Sequence, residues 1–196
     1  MKLLMPPRRR PPRSPQRGFT LIELLITIAI IAVLAGIAIA MYRKYLHAAQ
    51  SSEAKVVIGQ IRNGEEAYRA ETLNYLSCSG SLTDYYPNVV PDDSRWVWER
   101  STDTRYTNNV SGWNMLGVHP DAPVRYGYAV VAGTAPSALP APDPLMVNPP
   151  VWSSLAAGTP WYVVTARNQH FGNNDLPHLL ITTSYDATIY SENEGN

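Results

Sequence analysis

The stretch Arg17-Gly18-Phe19-Thr20-Leu21-Ile22-Glu23 decides the fold of the N-terminal part of the chain. It ends a basic leader and opens a strongly apolar run that contains a single acidic residue, Glu23. From Leu24 to Tyr42 the next 19 residues carry no formal charge. As a helix, such a span is about 28 Å long, which is enough to cross the hydrocarbon core of a bilayer. A carboxylate near the start of a membrane-crossing helix is costly in lipid and indicates a functional role.

This segment resembles the class III signal and first helix of type IV pilins and the related pseudopilins. The shared pattern is a basic leader, then Gly-Phe-Thr-Leu-Ile-Glu at residues 18–23, then an Ala-, Ile- and Leu-rich helix that continues to Tyr42 and Tyr45. The match is specific over about residues 17–72, because order, spacing, charge placement and position near the N-terminus agree. The resemblance implies an α+β pilin fold, in which a long N-terminal helix packs on a small antiparallel β-sheet.

The resemblance also implies a processing and assembly pathway. Prepilin peptidase cuts between Gly18 and Phe19 on the cytoplasmic side, and the new amine of Phe19 is N-methylated. In the filament, Glu23 faces the Phe19 amine of a neighbouring subunit. The residue chemistry supports this pairing, because a carboxylate in an apolar bundle needs a cationic partner and no Lys or Arg of the same helix can reach it. The Phe19 amine lies one turn from Glu23, so the pairing can also form within one subunit.

Three other interpretations of the N-terminus were weighed. Ala38-Ile39-Ala40 is a small-x-small site after a basic and an apolar region, which is typical of an ordinary secretory signal peptide. A plain single-span membrane anchor needs neither Gly18 nor Glu23. The pair Arg8-Arg9 suggests a twin-arginine signal, but the prolines that follow it do not fit that pattern. Glu23 fits poorly in an ordinary signal core, and this favours the pilin interpretation.

Charge is distributed unevenly along the chain, although the formal net charge is zero. Residues 1–18 form a leader rich in Pro and Arg, with six basic side chains and no acidic one. Removing it leaves 10 basic residues against 16 acidic ones, a formal charge of about −6. The positive-inside rule then predicts an inner-membrane precursor with a cytoplasmic leader and an outward C-terminal part. The negative formal charge of residues 19–196 argues against nucleic acid as a partner, because phosphate binding needs clustered Lys and Arg.

Three regions follow from these patterns. They are the cytoplasmic leader at residues 1–18, a transmembrane and assembly half of the helix at residues 19–45, and a periplasmic or extracellular globular domain at residues 46–196. The helix as a whole is predicted to extend from residue 19 to about residue 72.

The second half of this helix is amphipathic. Its apolar and small residues are predicted to lie on the sheet, Glu65 and Arg69 are predicted to form an i, i+4 ion pair, and Gly59 and Gly64 are expected to permit close approach of another backbone. The predicted face consists of Tyr45, Ala48, Ala49, Ser52, Val56, Ile58, Gly59, Ile61, Ala67 and Tyr68.

Loops and strands are predicted after the helix. Residues 73–124 form an irregular connection, expected to carry function or to cover the sheet, in which Trp96-Val97-Trp98 is a candidate short strand and Trp113 a third indole. Residues 134–160 contain seven prolines and are predicted to be an exposed loop without regular structure. The sheet is predicted to be antiparallel because its connections hold no crossover helix. Four segments carry the β signal: residues 124–131, 161–166, 179–184 and 188–190.

The sequence holds no catalytic constellation, no Gly-rich phosphate loop and no zinc-ligand spacing, which argues against an enzyme, a metal site or a cofactor. Cys78 is the single cysteine and is predicted to be a small buried or loop residue. Asp175 is the one carboxylate in a loop at residues 167–175, too few for calcium. Asn109-Val110-Ser111 matches a glycosylation sequon by pattern only. The histidines are scattered at His47, His119, His170 and His178.

Together these features predict a structural protein, a subunit of a homo- or hetero-oligomeric type IV pilus-like filament that polymerises through its N-terminal helix. Prepilin peptidase and a pilus or secretion assembly platform are the expected partners. Glu23 is expected to set the axial register, because a charge that is satisfied at only one stagger acts like a polar group at a coiled-coil position. The alternatives are a type II secretion pseudopilin, and a minor pilin whose Trp-rich segment at residues 73–124 forms an adhesive or binding tip.

Overall fold

The computed structural model describes residues 18–92, 94–98, 110–150, 155–169 and 176–194. The leader up to Arg17, the sequon residue Asn109 and the loop residues His170 and Asp175 lie outside this part of the chain. Two compact units are distinguished by their internal contacts, Met1–Tyr42 and Arg43–Asn196.

Helix α1 extends over Leu21–Thr72, so the predicted long helix is confirmed. It ends at Leu73, which adopts a left-handed φ of 62° and donates its N–H to the carbonyl of Arg69 at 2.8 Å. This is an αL cap that satisfies an otherwise unpaired carbonyl of the last turn. In the Met1–Tyr42 unit, every described residue is exposed. By length and composition α1 is able to cross a membrane, with a mean hydropathy of 2.9 in its apolar window.

The second unit contains a four-stranded antiparallel sheet in the order β1-β2-β3-β4, which confirms the α+β fold class and the predicted strand direction. The strand-forming stretches are rich in Val, Thr, Tyr and Trp, which suit a pleated, packed surface. Each strand is shifted by one to three residues from its predicted start. The strands are β1 Gly127–Thr134, β2 Pro160–Asn168, β3 His178–Thr183 and β4 Tyr190–Glu192.

The sheet is covered on both faces, so β2 and β3 are buried almost without interruption rather than in alternation. On one face the second half of α1 packs with the aromatic residues of the 73–124 connection and of β1. The other face carries a smaller cluster formed by Leu82, Met146, Trp161, Val163, Leu179 and Ile181.

Residues 78–86 of the 73–124 connection cover the edge of β1 that does not pair with another strand. Cys78 and Ser79 both donate their N–H groups to the carbonyl of Val130, at 3.1 and 2.9 Å, and Tyr86 and Tyr128 exchange a pair of backbone hydrogen bonds. These bonds occupy acceptors and donors that an open edge strand would otherwise expose. The expectation that this connection covers the sheet is confirmed, and Cys78 is buried as predicted.

The connection also contains a short helix that the sequence patterns did not predict, α2 at Val110–Met115. The candidate strand at Trp96-Val97-Trp98 is reduced to an isolated bridge between Trp96 and Val124. The two end residues of the predicted loop at 134–160 belong to β1 and β2, and the described residues between them form no strand or helix, but the loop is not wholly exposed. Asp143 and Met146 are buried within it. Asp143 accepts a hydrogen bond from the Tyr85 hydroxyl at 2.7 Å, and Met146 belongs to the smaller apolar cluster.

The predicted apolar face of α1 is partly wrong. Ile58 and Ile61 are buried as expected, but Val56 is 63% exposed and Ser52 is also exposed. Two adjacent stripes of small and apolar residues lie on this helix, and the stripe that packs on the sheet contains Val57 rather than Val56. The residues that are buried are Ser51, Ala54, Val57, Ile58, Ile61 and Glu65.

The predicted ion pair between Glu65 and Arg69 is also wrong. Glu65 is fully buried and its Oε2 accepts the N–H of Leu76 at 2.9 Å. The guanidinium of Arg69 instead donates to the hydroxyl of Tyr75 at 2.8 Å and lies 3.9 Å from the carboxylate of Glu66. Glu65 therefore belongs to the core rather than to the solvated face.

Candidate functional site: the start of helix α1

The predicted site residues Gly18, Phe19 and Glu23 lie together at the start of α1. Gly18 and Phe19 precede the helix and are exposed, with Phe19 at 83% exposure. A side chain built at Gly18 would meet nothing within 4 Å. The bond between Gly18 and Phe19 is therefore sterically open in the described part of the chain.

Thr20 and Glu23 close a reciprocal hydrogen-bond motif around the first turn. The N–H and the hydroxyl of Thr20 both donate to Oε2 of Glu23, at 2.9 and 2.7 Å, and the N–H of Glu23 donates back to Oγ1 of Thr20 at 3.2 Å. This is a capping box, in which the residue at the N-cap and the acid three positions later satisfy each other's backbone donors. The negative side chain also complements the positive end of the helix dipole.

Thr20 is the site residue that the sequence analysis missed. Its signal was present in the chain, because Thr-x-x-Glu directly before an apolar run is the sequence pattern of a capping box. The predicted partner of Glu23 was a cation, whereas Thr20 supplies a neutral partner within the first turn. The capping box uses Oε2, and no hydrogen bond to Oε1 is found among the described residues.

The helix that follows this site presents apolar side chains on all sides. Residues 18–46 are exposed throughout, although the run is built from Leu, Ile, Val and Ala. A helix that is apolar all round requires an apolar surrounding, either lipid or other helices. The apolar length after Glu23 thus calls for a partner or a membrane.

The family comparison falls on this same segment. Residues 13–39 match the model of the prokaryotic N-terminal methylation motif, a range that includes Gly18, Phe19 and Glu23. The resemblance to type IV pilins is confirmed.

Curated relatives of the chain are type IV fimbrial proteins of Dichelobacter nodosus. One type IV major fimbrial protein FimA is 36% identical over 83 residues, covering 42% of this chain and 49% of the relative. Another with the same name is 48% identical over 54 residues, covering 28% of this chain and 35% of the relative. A fimbrial protein is 36% identical over 83 residues, again 42% and 49% of the two chains. The chain thus spans about half, or less, of the length of these relatives, and no solved structure matches it.

The residues that the sequence analysis weighed for other chemistry do not assemble into a site. Among the described residues, no group of three His, Cys, Asp or Glu side chains is placed to hold a metal ion. Trp98 and Trp113 are buried in the core, so these two indoles are not presented at a surface. Burial raises the pKa of the Cys78 thiol far above its usual range, with a smaller contribution from Glu65, which disfavours the reactive thiolate.

Two buried titratable groups depart strongly from their ordinary behaviour. Burial raises the pKa of Glu65 to about 8, against the opposing effect of its hydrogen bond from Leu76. Burial lowers the pKa of His178 to about 4, although the nearby Glu194 carboxylate opposes this. Desolvation disfavours the charged form in both cases, so Glu65 and His178 are each held neutral in the folded unit at neutral pH.

Proposed function

We propose that this chain is the precursor of a type IV pilus subunit that is cut by prepilin peptidase between Gly18 and Phe19, N-methylated on Phe19 and polymerised through α1. The observation that carries the proposal is the combination at the start of α1. A methylation motif contains an exposed bond after Gly18 and a lone carboxylate at Glu23, and the apolar half of α1 that follows is exposed at every residue from 24 to 42.

The energetic basis of assembly is the transfer of the apolar first half of α1, residues 19–39, from lipid to a bundle of equivalent helices. Burial among other helices satisfies the apolar side chains about as well as lipid does, so register must come from a polar contact. The capping box leaves Oε1 of Glu23 available, and a Phe19 amine on an adjoining subunit would supply the missing cation. Because the charge is paired at only one axial stagger of the helices, every other stagger is disfavoured.

The same proposal assigns the location and the partners. The precursor is held in the inner membrane with residues 1–18 inside and residues 46–196 outside, because six basic side chains precede the helix. Its partners are prepilin peptidase, the pilus or secretion assembly platform and further pilin subunits in a homo- or hetero-oligomeric filament. Its role is structural and calls for no cofactor.

Co-expression with a prepilin peptidase and an assembly platform tests the role of Glu23. Glu23→Ala should still be processed. Its filament yield in the sheared surface fraction should be about one tenth of the wild-type yield or lower, because the charge pair that sets the register is lost. Glu71→Ala is the matched control, since Glu71 is an exposed carboxylate near the other end of the same helix. Equal filament yields for wild type and Glu23→Ala would contradict the proposal.

The same experiment separates the alternatives. Abundant sheared fibres support a pilus subunit. Processed protein that supports secretion of a reporter without surface fibres would instead identify a pseudopilin. A minor pilin with a binding tip would appear in fibres at low abundance, and the buried positions of Trp98 and Trp113 give that tip no support from these two indoles.

A further inference from the structure

A continuous array of aromatic rings passes through the core of the second unit. The ring centroids of Trp113 and Trp98 are 5.3 Å apart, and Tyr86 lies 5.1 Å from Trp98 and 5.5 Å from Trp113. From Trp98 the array continues to Tyr128 at 5.7 Å and from there to Tyr126 at 6.4 Å. Such offset and edge-on contacts stabilise a core, and they also bring oxidisable rings close enough to exchange electrons.

The three tyrosines of this array differ in what their hydroxyls contact. Tyr126 contacts a nitrogen base, with its hydroxyl oxygen 2.6 Å from Nδ1 of His178. The hydroxyl of Tyr128 is buried and has no hydrogen-bond partner in the part of the chain that the structure describes, and that of Tyr86 donates to the backbone carbonyl of Trp98. A carbonyl oxygen accepts a hydrogen bond but does not take up a proton under ordinary conditions. Among the contacts given above for these hydroxyls, that of Tyr126 is with a group that can accept its proton.

The surrounding hydrogen bonds fix the tautomer of His178. Ser191 donates its hydroxyl to the carboxylate of Glu194 at 3.0 Å, because a carboxylate only accepts. The oxygen of Ser191 must then accept from Nε2 of His178, 2.9 Å away. Nδ1 is left as an acceptor for the Tyr126 hydroxyl. The burial that lowers the pKa of His178 to about 4 keeps this ring neutral and its lone pair available.

The two tryptophans have the opposite property. The indole Nε1–H groups of Trp98 and Trp113 are both buried without a hydrogen-bond partner among the described residues. An indole that loses an electron here has no neighbour to take its proton, so it stays a radical cation. In that form it remains a strong oxidant and returns to tryptophan by gaining one electron and no proton.

Trp98 also lies at the solvent side of the array. It lines an open cavity of about 270 Å³ together with Val97, His119 and the segment at residues 120–123. A small oxidant of a few atoms fits this volume and comes within electron-transfer distance of Trp98, although the indole itself is only 3% exposed.

We propose that Tyr126 and His178 form a proton-coupled redox pair that receives oxidising equivalents delivered by small one-electron oxidants to Trp98. The oxidant takes one electron from the indole and is reduced to its anion. An electron then passes from Tyr126 to the tryptophan radical cation, which becomes tryptophan again with its N–H intact. The phenolic proton moves to Nδ1 of His178, which leaves a neutral tyrosyl radical beside an imidazolium. An oxidised phenol is a far stronger acid than imidazolium, so this transfer is downhill.

The chain beyond His178 favours the products of this step. The positive charge formed on the imidazolium is connected through Ser191 to the carboxylate of Glu194. Glu194 also pairs with Lys55 at 3.3 Å. The pair thus moves the oxidising equivalent from the indoles to Tyr126, a fully buried ring whose proton acceptor His178 lies in the strand β3 next to the C-terminal strand.

Pulse radiolysis of the full-length chain in detergent, with the azidyl radical as oxidant, tests the proposal. In the wild type, the tryptophan radical signal should convert to a tyrosyl signal in a fast intramolecular phase that slows in D2O, because a proton moves in the same step. Tyr126→Phe and His178→Gln should each slow this phase by about tenfold or more. The amide of His178→Gln still accepts a hydrogen bond but takes up no proton.

Tyr128→Phe is the matched control, since it removes a buried hydroxyl of the same array that contacts no base. It should leave the fast phase intact, and thermal unfolding of each variant checks that the core is retained. An unchanged fast phase in Tyr126→Phe would overturn the proposal and would point to another phenol, such as Tyr85 beside Asp143. Absence of a solvent isotope effect in the wild type, or of any conversion to tyrosyl radical, would overturn it as well.

Discussion

Glu23 and Glu65 are two carboxylates of α1 in opposite environments. Glu23 is exposed and caps the first turn through Thr20, whereas Glu65 is fully buried and caps the Leu76 N–H of the following connection. Charge placement in the chain was enough to single out Glu23. The role of Glu65 was not predictable, because the residue that it serves is 11 positions away and its burial depends on how the connection folds back.

Glu65 predicts that the stability of the fold falls as pH rises from 4.5 to about 8. Its folded pKa of about 8 lies above the ordinary value of 4.5, so its contribution is fully present below pH 4.5 and is lost as pH rises towards 8. The free energy of unfolding should fall by up to about 1.4 kcal/mol per pH unit in this window. The interval between about pH 7 and 8 is the cleanest, because it lies above both the folded and the unfolded pKa of His178.

Denaturant unfolding of the full-length chain in detergent, measured across this interval, checks the prediction. Glu65→Gln should flatten the slope, since the amide keeps the acceptor for Leu76 and cannot ionise. Glu71→Gln serves as the control and should keep the wild-type slope, because Glu71 is exposed. A wild-type slope in Glu65→Gln would mean that another group titrates.

His178 predicts the acid limb of the same profile. Its folded pKa of about 4 lies below the ordinary value of 6.5, so its contribution is present above pH 6.5 and is lost as pH falls towards 4. His178→Gln should reduce the loss of stability between these two values, as measured by thermal unfolding in the same detergent. If the acid limb is as steep in the variant as in the wild type, carboxylates rather than His178 cause it.

At the level of elements, α1 and the sheet are set by patterns that can be read along the chain, while the connections are not. The continuous helix and the four β segments follow from local composition. The side of α1 that faces the sheet does not, because two neighbouring stripes qualify and tertiary packing selects the one with Val57 and Ile58. The short helix α2 and the buried Asp143 also depend on long-range contacts. The backbone of Leu116, directly after α2, lies against Gly64, and Asp143 accepts a hydrogen bond from Tyr85.

The two glycines in the second half of α1 give a matched test of this packing. A Cβ added at Gly64 would lie 2.3 Å from the carbonyl oxygen of Leu116, whereas one added at Gly59 would meet nothing within 4 Å. Close approach was therefore predicted correctly for Gly64 and wrongly for Gly59. Gly64→Ala should destabilise the unit by about 1–3 kcal/mol through overpacking against backbone. Gly59→Ala should stabilise it by about 0.5–1 kcal/mol through helix propensity.

Thermal unfolding of the two variants, each compared with wild type, decides this point. The two shifts in midpoint are expected to have opposite signs. Shifts of the same sign would show that the segment after α2 does not pack against Gly64 in solution.

At the scale of the whole molecule, the first unit contains the exposed apolar half of α1, and the second unit is the folded domain. The first carries the methylation motif, and the second supplies the sheet, the aromatic array and most of the acidic surface. The methylation motif and the long helix of the N-terminal region were predictable because both are encoded in short linear patterns. The surface of the second unit was less so, because the Trp-rich segment that suggested a binding tip places Trp98 and Trp113 in the core.

The central claim, that this chain is processed as a pilin precursor, is tested most directly by the intact mass of the protein after co-expression with prepilin peptidase. The predicted result is a chain that begins at Phe19 and carries one N-methyl group. Gly18→Val should abolish the cut, because it changes the residue before the cleaved bond, whereas the control Gly36→Val should leave the cut intact. Neither substitution should disturb the fold, since a side chain at either glycine would meet nothing within 4 Å. A mature chain that begins after Ala40, or one that retains residues 1–18 in the presence of active peptidase, would contradict the account.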